Sequence, residues 1–157
     1  MKIGIEFNIP NEYGNFLEQI LKQINLDEYI WKIEEDEIYI NNNRKSNDND
    51  DNLFKKPIYK NADFKKIIEQ EDYYIIFANI KLYVKQDNTI INTYKDFIES
   101  SCILILLVTD SKFVEIYSKD ENILDKIYNN ALKSKFHNIC YITKENFKRK
   151  KFSAYAD

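Results

Sequence analysis

Residues 102–108 read CILILLV, with no polar side chain on either face of an extended chain. A strand of that kind is stable only where both faces of its sheet are covered, so it belongs in the middle of a sheet and not at its margin. The next residues, Thr109, Asp110 and Ser111, supply turn chemistry, and KFVEIYS over 112–118 alternates again. A two- to three-residue connection there makes a tight antiparallel hairpin. Ser118 and Glu121 match the S-x-x-E capping box ahead of a helix with Ile123, Leu124, Ile127, Tyr128, Ala131 and Leu132 on one stripe. NICYI over 138–142 closes the sheet.

Working outward from that centre, Ile3, Ile5, Phe7 and Ile9 alternate with polar or small residues and predict a first strand over 3–9, ended by Pro10. Asn11 or Asn15 caps a helix carrying Tyr13, Phe16, Leu17, Ile20, Leu21 and Ile24, with Asn15 and Glu18 in the spacing of a capping box. Residues 29–41, YIWKIEEDEIYIN, read as a β-hairpin turning at Glu34, Glu35 and Asp36. Asn61 caps a short helix with Phe64, Ile67 and Ile68 inward. The long strand over 73–85 has one apolar face, Tyr74, Ile76, Ala78, Ile80, Leu82 and Val84. The other face turns polar at Asn79, Lys81 and Lys85 and carries Tyr83 out of cover. Thr93 and Asp96 open a further helix with Tyr94, Phe97 and Ile98.

This pattern predicts an α+β single domain over 1–157. Its largely antiparallel twisted sheet has about six to seven strands in the order β-α-ββ-α-β-α-ββ-α-β, with helices packed mainly on one face. At 157 residues with 44% hydrophobic content, the chain can bury roughly 68–70% of its unfolded surface. Residues 41–52, NNNRKSNDNDDN, contain nothing to bury and are expected to form a mobile polar loop; they lack the Gly and terminal Glu of a calcium loop. Residues 144–157 form a basic tail, with Phe147, Phe152 and Tyr155 as anchors.

Several functional classes are disfavoured. With only Gly4 and Gly14, no loop can wrap its amides around a phosphate, which removes nucleotide- and dinucleotide-binding readings. A net charge of -3 argues against a dedicated nucleic-acid binder, leaving Lys148 to Lys151 as the one basic cluster, read as a solvated tail or a docking patch. No stretch has membrane-spanning or signal-peptide length, and Cys102 and Cys140 at apolar strand positions fit a reducing cytoplasm. The single histidine, His137, has no nucleophile near it in sequence, and no cofactor or metal set is expected.

IPNEYG over 9–14, the segment around Trp31, CILILLVTDSKFVEIYSKD over 102–120, YNNA over 128–131 and YIT over 141–143 resemble a family of small proteins from low-GC Gram-positive bacteria, domain of unknown function 2691. The resemblance spans residues 3–143. It implies a single-domain cytosolic bacterial protein and transfers no catalytic residues.

Two functions are carried forward. The first is a non-enzymatic protein-binding module, in one version an inhibitor or immunity-type protein. Its acidic hairpin tip, Glu34, Glu35, Asp36 and Glu37, steers a basic partner, and Tyr83 contributes aromatic surface. The second is a small-molecule sensor, or an enzyme of unfamiliar mechanism, with a pocket between helices and sheet and Asp110, Glu115, Tyr117 and His137 as its polar groups. Nucleic-acid binding through the basic tail ranks third.

Overall fold

The structure, a computed structural model, describes residues 1–25, 27–41, 51–70, 72–149 and 151–153. The strands are β1 (Lys2–Asn8), β2 (Ile30–Ile40), β3 (Ile58–Lys60), β4 (Tyr73–Tyr83), β5 (Cys102–Thr109), β6 (Phe113–Ser118) and β7 (His137–Thr143). The helices are α1 (Phe16–Leu21), α2 (Asn61–Ile68), α3 (Tyr94–Glu99) and α4 (Glu121–Lys133). All seven strands form one antiparallel sheet in the order β3-β2-β4-β5-β6-β1-β7. The all-apolar strand β5 is at its centre, as its composition demands. Among the described residues no helix is long and apolar enough to cross a membrane.

One face of the sheet packs on α1, α2 and α4. Ile5, Phe7, Ile80, Leu82, Leu106, Val108 and Ile116 meet Leu17, Ile20, Phe64, Leu124 and Ile127 in a single apolar core. The other face has its own smaller core, in which Ile3, Ile105, Leu107 and Tyr117 lie under Phe97 of α3 and Phe152 of the C-terminal segment. Helices therefore lie mainly on one face, as the sequence predicts, and the second face is covered by a short helix and a strap of chain.

Residues 30–40 are one strand and not the predicted hairpin. β2 pairs with β4 from Ile30↔Tyr83 to Ile40↔Tyr73, and a reversal at Glu34 to Asp36 would forfeit that ladder. Its charged stretch is absorbed by bulges, one between Ile33 and Glu35 and one between Glu37 and Ile38. The seventh strand is instead β3, whose three residues are too short to show a period.

Bulges also change which residues share a face. The pairing of Lys2 with Thr143 and Gly4 with Ile142 leaves Ile3 unmatched, and Ile3 joins the second-face core while Ile5 and Phe7 stay with the helices. In β4 the slip skips Ile76, so Tyr73 and Ile75 share the helix-side core with Ala78, Ile80 and Leu82. Tyr74 and Ile76, predicted for that face, are half-buried, and the Ile76 carbonyl accepts a hydrogen bond from Ser111 N at 3.0 Å.

Helix starts depart from prediction where a side chain has a stronger engagement elsewhere. Asn61 is the first residue of α2, and its Oδ1 accepts from the Trp31 indole Nε1 at 2.8 Å. Trp31 also stacks on Phe64 with ring centroids 4.2 Å apart. Asn15 precedes α1 without capping it and accepts from Gln19 Nε2. Asp120 caps α4, because Ser118 Oγ donates to Ile103 O in the sheet. The predicted Thr93–Asp96 capping box of α3 is present on both sides. The β5–β6 turn holds Asp110 and Ser111 at φ of 51° and 66°, the left-handed pair of a tight hairpin. Residues 42–50 of the predicted polar loop and Tyr155 lie outside the described residues.

Candidate functional site

The second face carries a polar floor inside its apolar core. Asn79 and Lys81 follow each other at a two-residue spacing on β4, where the apolar alternation of that face is interrupted, and each is only 2% exposed. The 88–92 loop and the C-terminal residues Phe152 and Ser153 wall off this part of the face, so its polar groups must be answered locally. The Ile33–Glu35 bulge does this. It brings Glu34 Oε1 to 3.2 Å from Lys81 Nζ and 3.4 Å from Lys32 Nζ, and Glu35 Oε1 to 3.5 Å from Asn79 Nδ2. Burial pushes the Glu34 carboxyl up, but the two ammonium groups outweigh it and hold Glu34 below the ordinary Glu range.

The C-terminal residues 147–149 and 151–153 lie across this face as a strap. Phe147 and Phe152 pack edge-on or tilted against Tyr94 and Tyr117, and Phe152 N donates to Asn92 O at 3.0 Å. Arg149 grips Glu115 through two hydrogen bonds, Nη2 to Oε2 at 2.6 Å and Nε to Oε1 at 3.1 Å, and the Tyr117 hydroxyl donates to the same carboxylate. Burial raises Glu115, and the bonds from Arg149 and Tyr117 then carry it below its ordinary range. Burial and the adjacent Glu115 together push the Tyr117 phenol up.

Two clefts open beside the strap. One of about 350 Å³ is lined by Glu6, Glu115, Tyr117, Asn146, Lys148 and Arg149. Two of its ionic groups, Glu115 and Arg149, are engaged with each other in the clasp that Tyr117 completes. The other, of about 300 Å³, is walled by Lys32, Glu34, Glu35, the 88–92 loop, Phe152 and Ser153, with Asn79 and Lys81 as its floor. Here one group is unanswered: Asn79 Oδ1 is buried and has no hydrogen-bond partner among the described residues, although Asn79 Nδ2 donates to Phe152 O at 3.2 Å.

The predicted site residues do not come together in one place. Glu34 and Glu35 belong to the second cleft as mid-strand residues, while Asp36 and Glu37 lie further along β2, where Glu37 accepts from Tyr39. Burial and the neighbouring Glu37 raise Asp36. The acidic tip expected at a hairpin turn is thus a strand segment, and Glu34 is neutralised by lysines. Tyr83 is not surface: it is 2% exposed on the second face, its hydroxyl has no hydrogen-bond partner among the described residues, and burial raises its phenol. Glu115 and Tyr117 meet in the clasp, on the face opposite the large helical layer, whereas the sequence reading expects them in a pocket between helices and sheet. Asp110 is in the exposed β5–β6 turn. His137 opens the edge strand β7 beside a cleft of about 130 Å³ formed with Ile9, Pro10 and Phe136.

Within Lys148 to Lys151, Arg149 is held in the clasp and so is not a solvated tail residue; Lys148 and Lys151 are exposed, and Lys150 lies outside the described residues. Of the cysteines, Cys102 is buried, which pushes its thiol up to about 12, whereas Cys140 is exposed on β7 and not in the core. Among the described residues no group of three or more His, Cys, Asp or Glu could hold a metal ion. Sequence reasoning missed Asn79, Lys81, Lys32 and Arg149. The available signal was two polar residues within a strand too long and too central to leave its sheet.

The profile of the family described as Protein of unknown function (DUF2691) matches residues 2–153. The chain belongs to the DUF2691 family. Membership extends past residue 143, where the resemblance seen in the sequence stops, and takes in the strap through Ser153, so both clefts lie within the matched region. The DUF2691 chain is also 38% identical over 149 residues to the uncharacterized protein YncE of Bacillus subtilis (strain 168), covering 93% of this chain and 95% of that one. No solved structure matches.

Proposed function

We propose that this protein is a non-enzymatic binding module that takes a small polar ligand on the second face of its sheet, in the cleft between β2 and the strap. One observation carries this reading: Lys81 and Asn79 are buried in mid-sheet at the floor of an open cleft, with one carboxamide oxygen unanswered. A buried ammonium group answered by a part-exposed carboxylate is a poor way to gain stability, since apolar residues of similar volume do as well or better. A ligand that completes the hydrogen bonds gives such a floor a purpose. The pocket proposed between helices and sheet is replaced by this one, because that space is filled by apolar core. A melting screen of the full chain against nucleotides, sugars, amino acids and divalent metals tests the reading. A ligand at 100 times its Kd adds about 2.7 kcal/mol, so one class should raise Tm by several degrees. A flat response to every class contradicts it.

A protein partner is the second reading, favoured by the exposed aromatic rings of Tyr13 and Phe113. Steering of a basic inhibitor target by Glu34, Glu35, Asp36 and Glu37 is weaker than the sequence suggests, since Lys32 and Lys81 offset Glu34. Affinity capture from a bacterial host should then return one stoichiometric, salt-sensitive partner. Nucleic-acid binding through Lys148 to Lys151 loses Arg149 to the clasp. Two free cysteines accord with a cytoplasmic location.

A further inference from the structure

We propose that the cleft between β2 and the strap recognises a zwitterion of the free α-amino acid class, with the ligand ammonium on Asn79 Oδ1 and its carboxylate on Lys81 and Lys32. This rests on the reading of the cleft as a small-ligand site and names what enters it. Among the described residues the cleft walls and floor hold two carboxylates, Glu34 and Glu35, and two ammonium groups, Lys32 and Lys81, so their formal charges balance. A ligand of one sign meets attraction and repulsion in equal number. A ligand carrying both signs can place each against its opposite.

Hydrogen-bond chemistry assigns the two ends. A carboxamide oxygen accepts and cannot donate, so the group that answers Asn79 Oδ1 is an N–H or O–H donor. An ammonium group meets that need while facing Glu35, whose Oε1 is beside the same amide. Lys81 gives one ammonium proton to Glu34, and an ammonium group carries three. Residues two apart on one strand face stand about 7 Å apart, a span that a single α-amino-acid headgroup bridges with a hydrogen bond at each end. Ile90, 77% exposed on the rim, offers apolar surface to a side chain. A volume of about 300 Å³ is at the small end of ligand sites and suits one amino acid better than a nucleotide.

The strap is the gate to the oxygen. Asn79 Oδ1 is shut off from solvent, and the same amide donates to Phe152 O. Reaching it requires Phe152 and Ser153, which wall the cleft, to shift outward; the strap end bonds the amide nitrogen and the ligand its oxygen, so the two hydrogen bonds do not compete.

The test is saturation-transfer NMR on the full chain with pools of the twenty standard amino acids, followed by calorimetry on any that bind. We expect at least one to bind saturably. Its N-acetyl derivative and its decarboxylated amine should each bind at least tenfold more weakly. Lys32→Ala, a change at a partly exposed side chain, should weaken binding several-fold with Tm preserved. Binding by none of the twenty overturns the inference, as does a bound amino acid indifferent to N-acetylation or to Lys32→Ala. If a sugar or nucleotide binds this cleft while amino acids do not, the ligand class is wrong and the small-ligand reading stands. If no class binds, both fall.

Discussion

Arg149 and Glu115 form the most consequential single contact outside the apolar core. The guanidinium is largely buried, Glu115 is one-quarter exposed, and the two are joined at 2.6 and 3.1 Å. Arg149→Ala leaves a half-buried carboxylate with Tyr117 as its one remaining partner among the described residues, a loss of roughly 1.5–3 kcal/mol in urea unfolding. Glu115→Gln in the same background should recover part of that loss, because it removes the stranded charge. The pair also sets a pH dependence. Glu115 is held below the ordinary Glu value of 4.5 in the folded state, so the unfolded chain binds its proton more tightly. Its stabilisation is therefore full above about pH 4.5 and is lost as pH falls through the lowered folded value. Glu115→Gln should flatten the acid limb of a stability–pH curve; an unchanged limb would remove this carboxylate from the account. Neither partner was legible as a pair, since 34 residues separate them and Arg149 reads in sequence as one charge in a basic run.

At the scale of elements, legibility followed the length of uninterrupted periodicity. The β5–β6 hairpin and the α3 capping box were readable because turn and cap chemistry are local and are formed by adjacent residues. β2 was misread because Glu34 to Glu37 look like a turn in one dimension, while pairing to β4 and a bulge make them strand. Ile3 and Ile76 were assigned to the wrong face for a related reason: a bulge shifts a period-2 pattern by one and leaves no mark in composition. Gly4 shows how closely β1 fits between its neighbours. A Cβ there would stand 2.6 Å from Ile116 O and 2.9 Å from the Tyr117 ring, so Gly4→Ala should cost about 1–3 kcal/mol by overpacking. The α2–β2 joint gives a second test. Asn61→Ala strands the buried Trp31 indole N–H, for a loss of about 1–3 kcal/mol, whereas Asn61→Asp retains an acceptor and should lose less. Deleting the strap after residue 146 removes Phe147, Arg149 and Phe152 together. It should lower Tm and expose the Tyr117–Phe97 surface to a hydrophobic dye while leaving the helix-side core folded.

For the molecule as a whole, the fold class was legible because one strand apolar on both faces requires cover on both sides, and amphipathic helices between alternating strands supply it. The candidate site was not legible. Its contacts join β2, β4 and the C-terminus, with 47 residues between Glu34 and Lys81 and 73 between Asn79 and Phe152. What the sequence presents as scattered charges and a basic tail, the sheet gathers onto one face, leaving the large core on the other free of charge. The claim that this face binds a free amino acid is tested most directly by backbone amide shift mapping of the isotope-labelled full chain titrated with the pooled amino acids. Shifts clustered at Lys32, Glu34, Asn79, Lys81, the 88–92 loop and Ser153 are the predicted result. Shifts confined to the helical layer or to the β7 edge, or none at all, would contradict it.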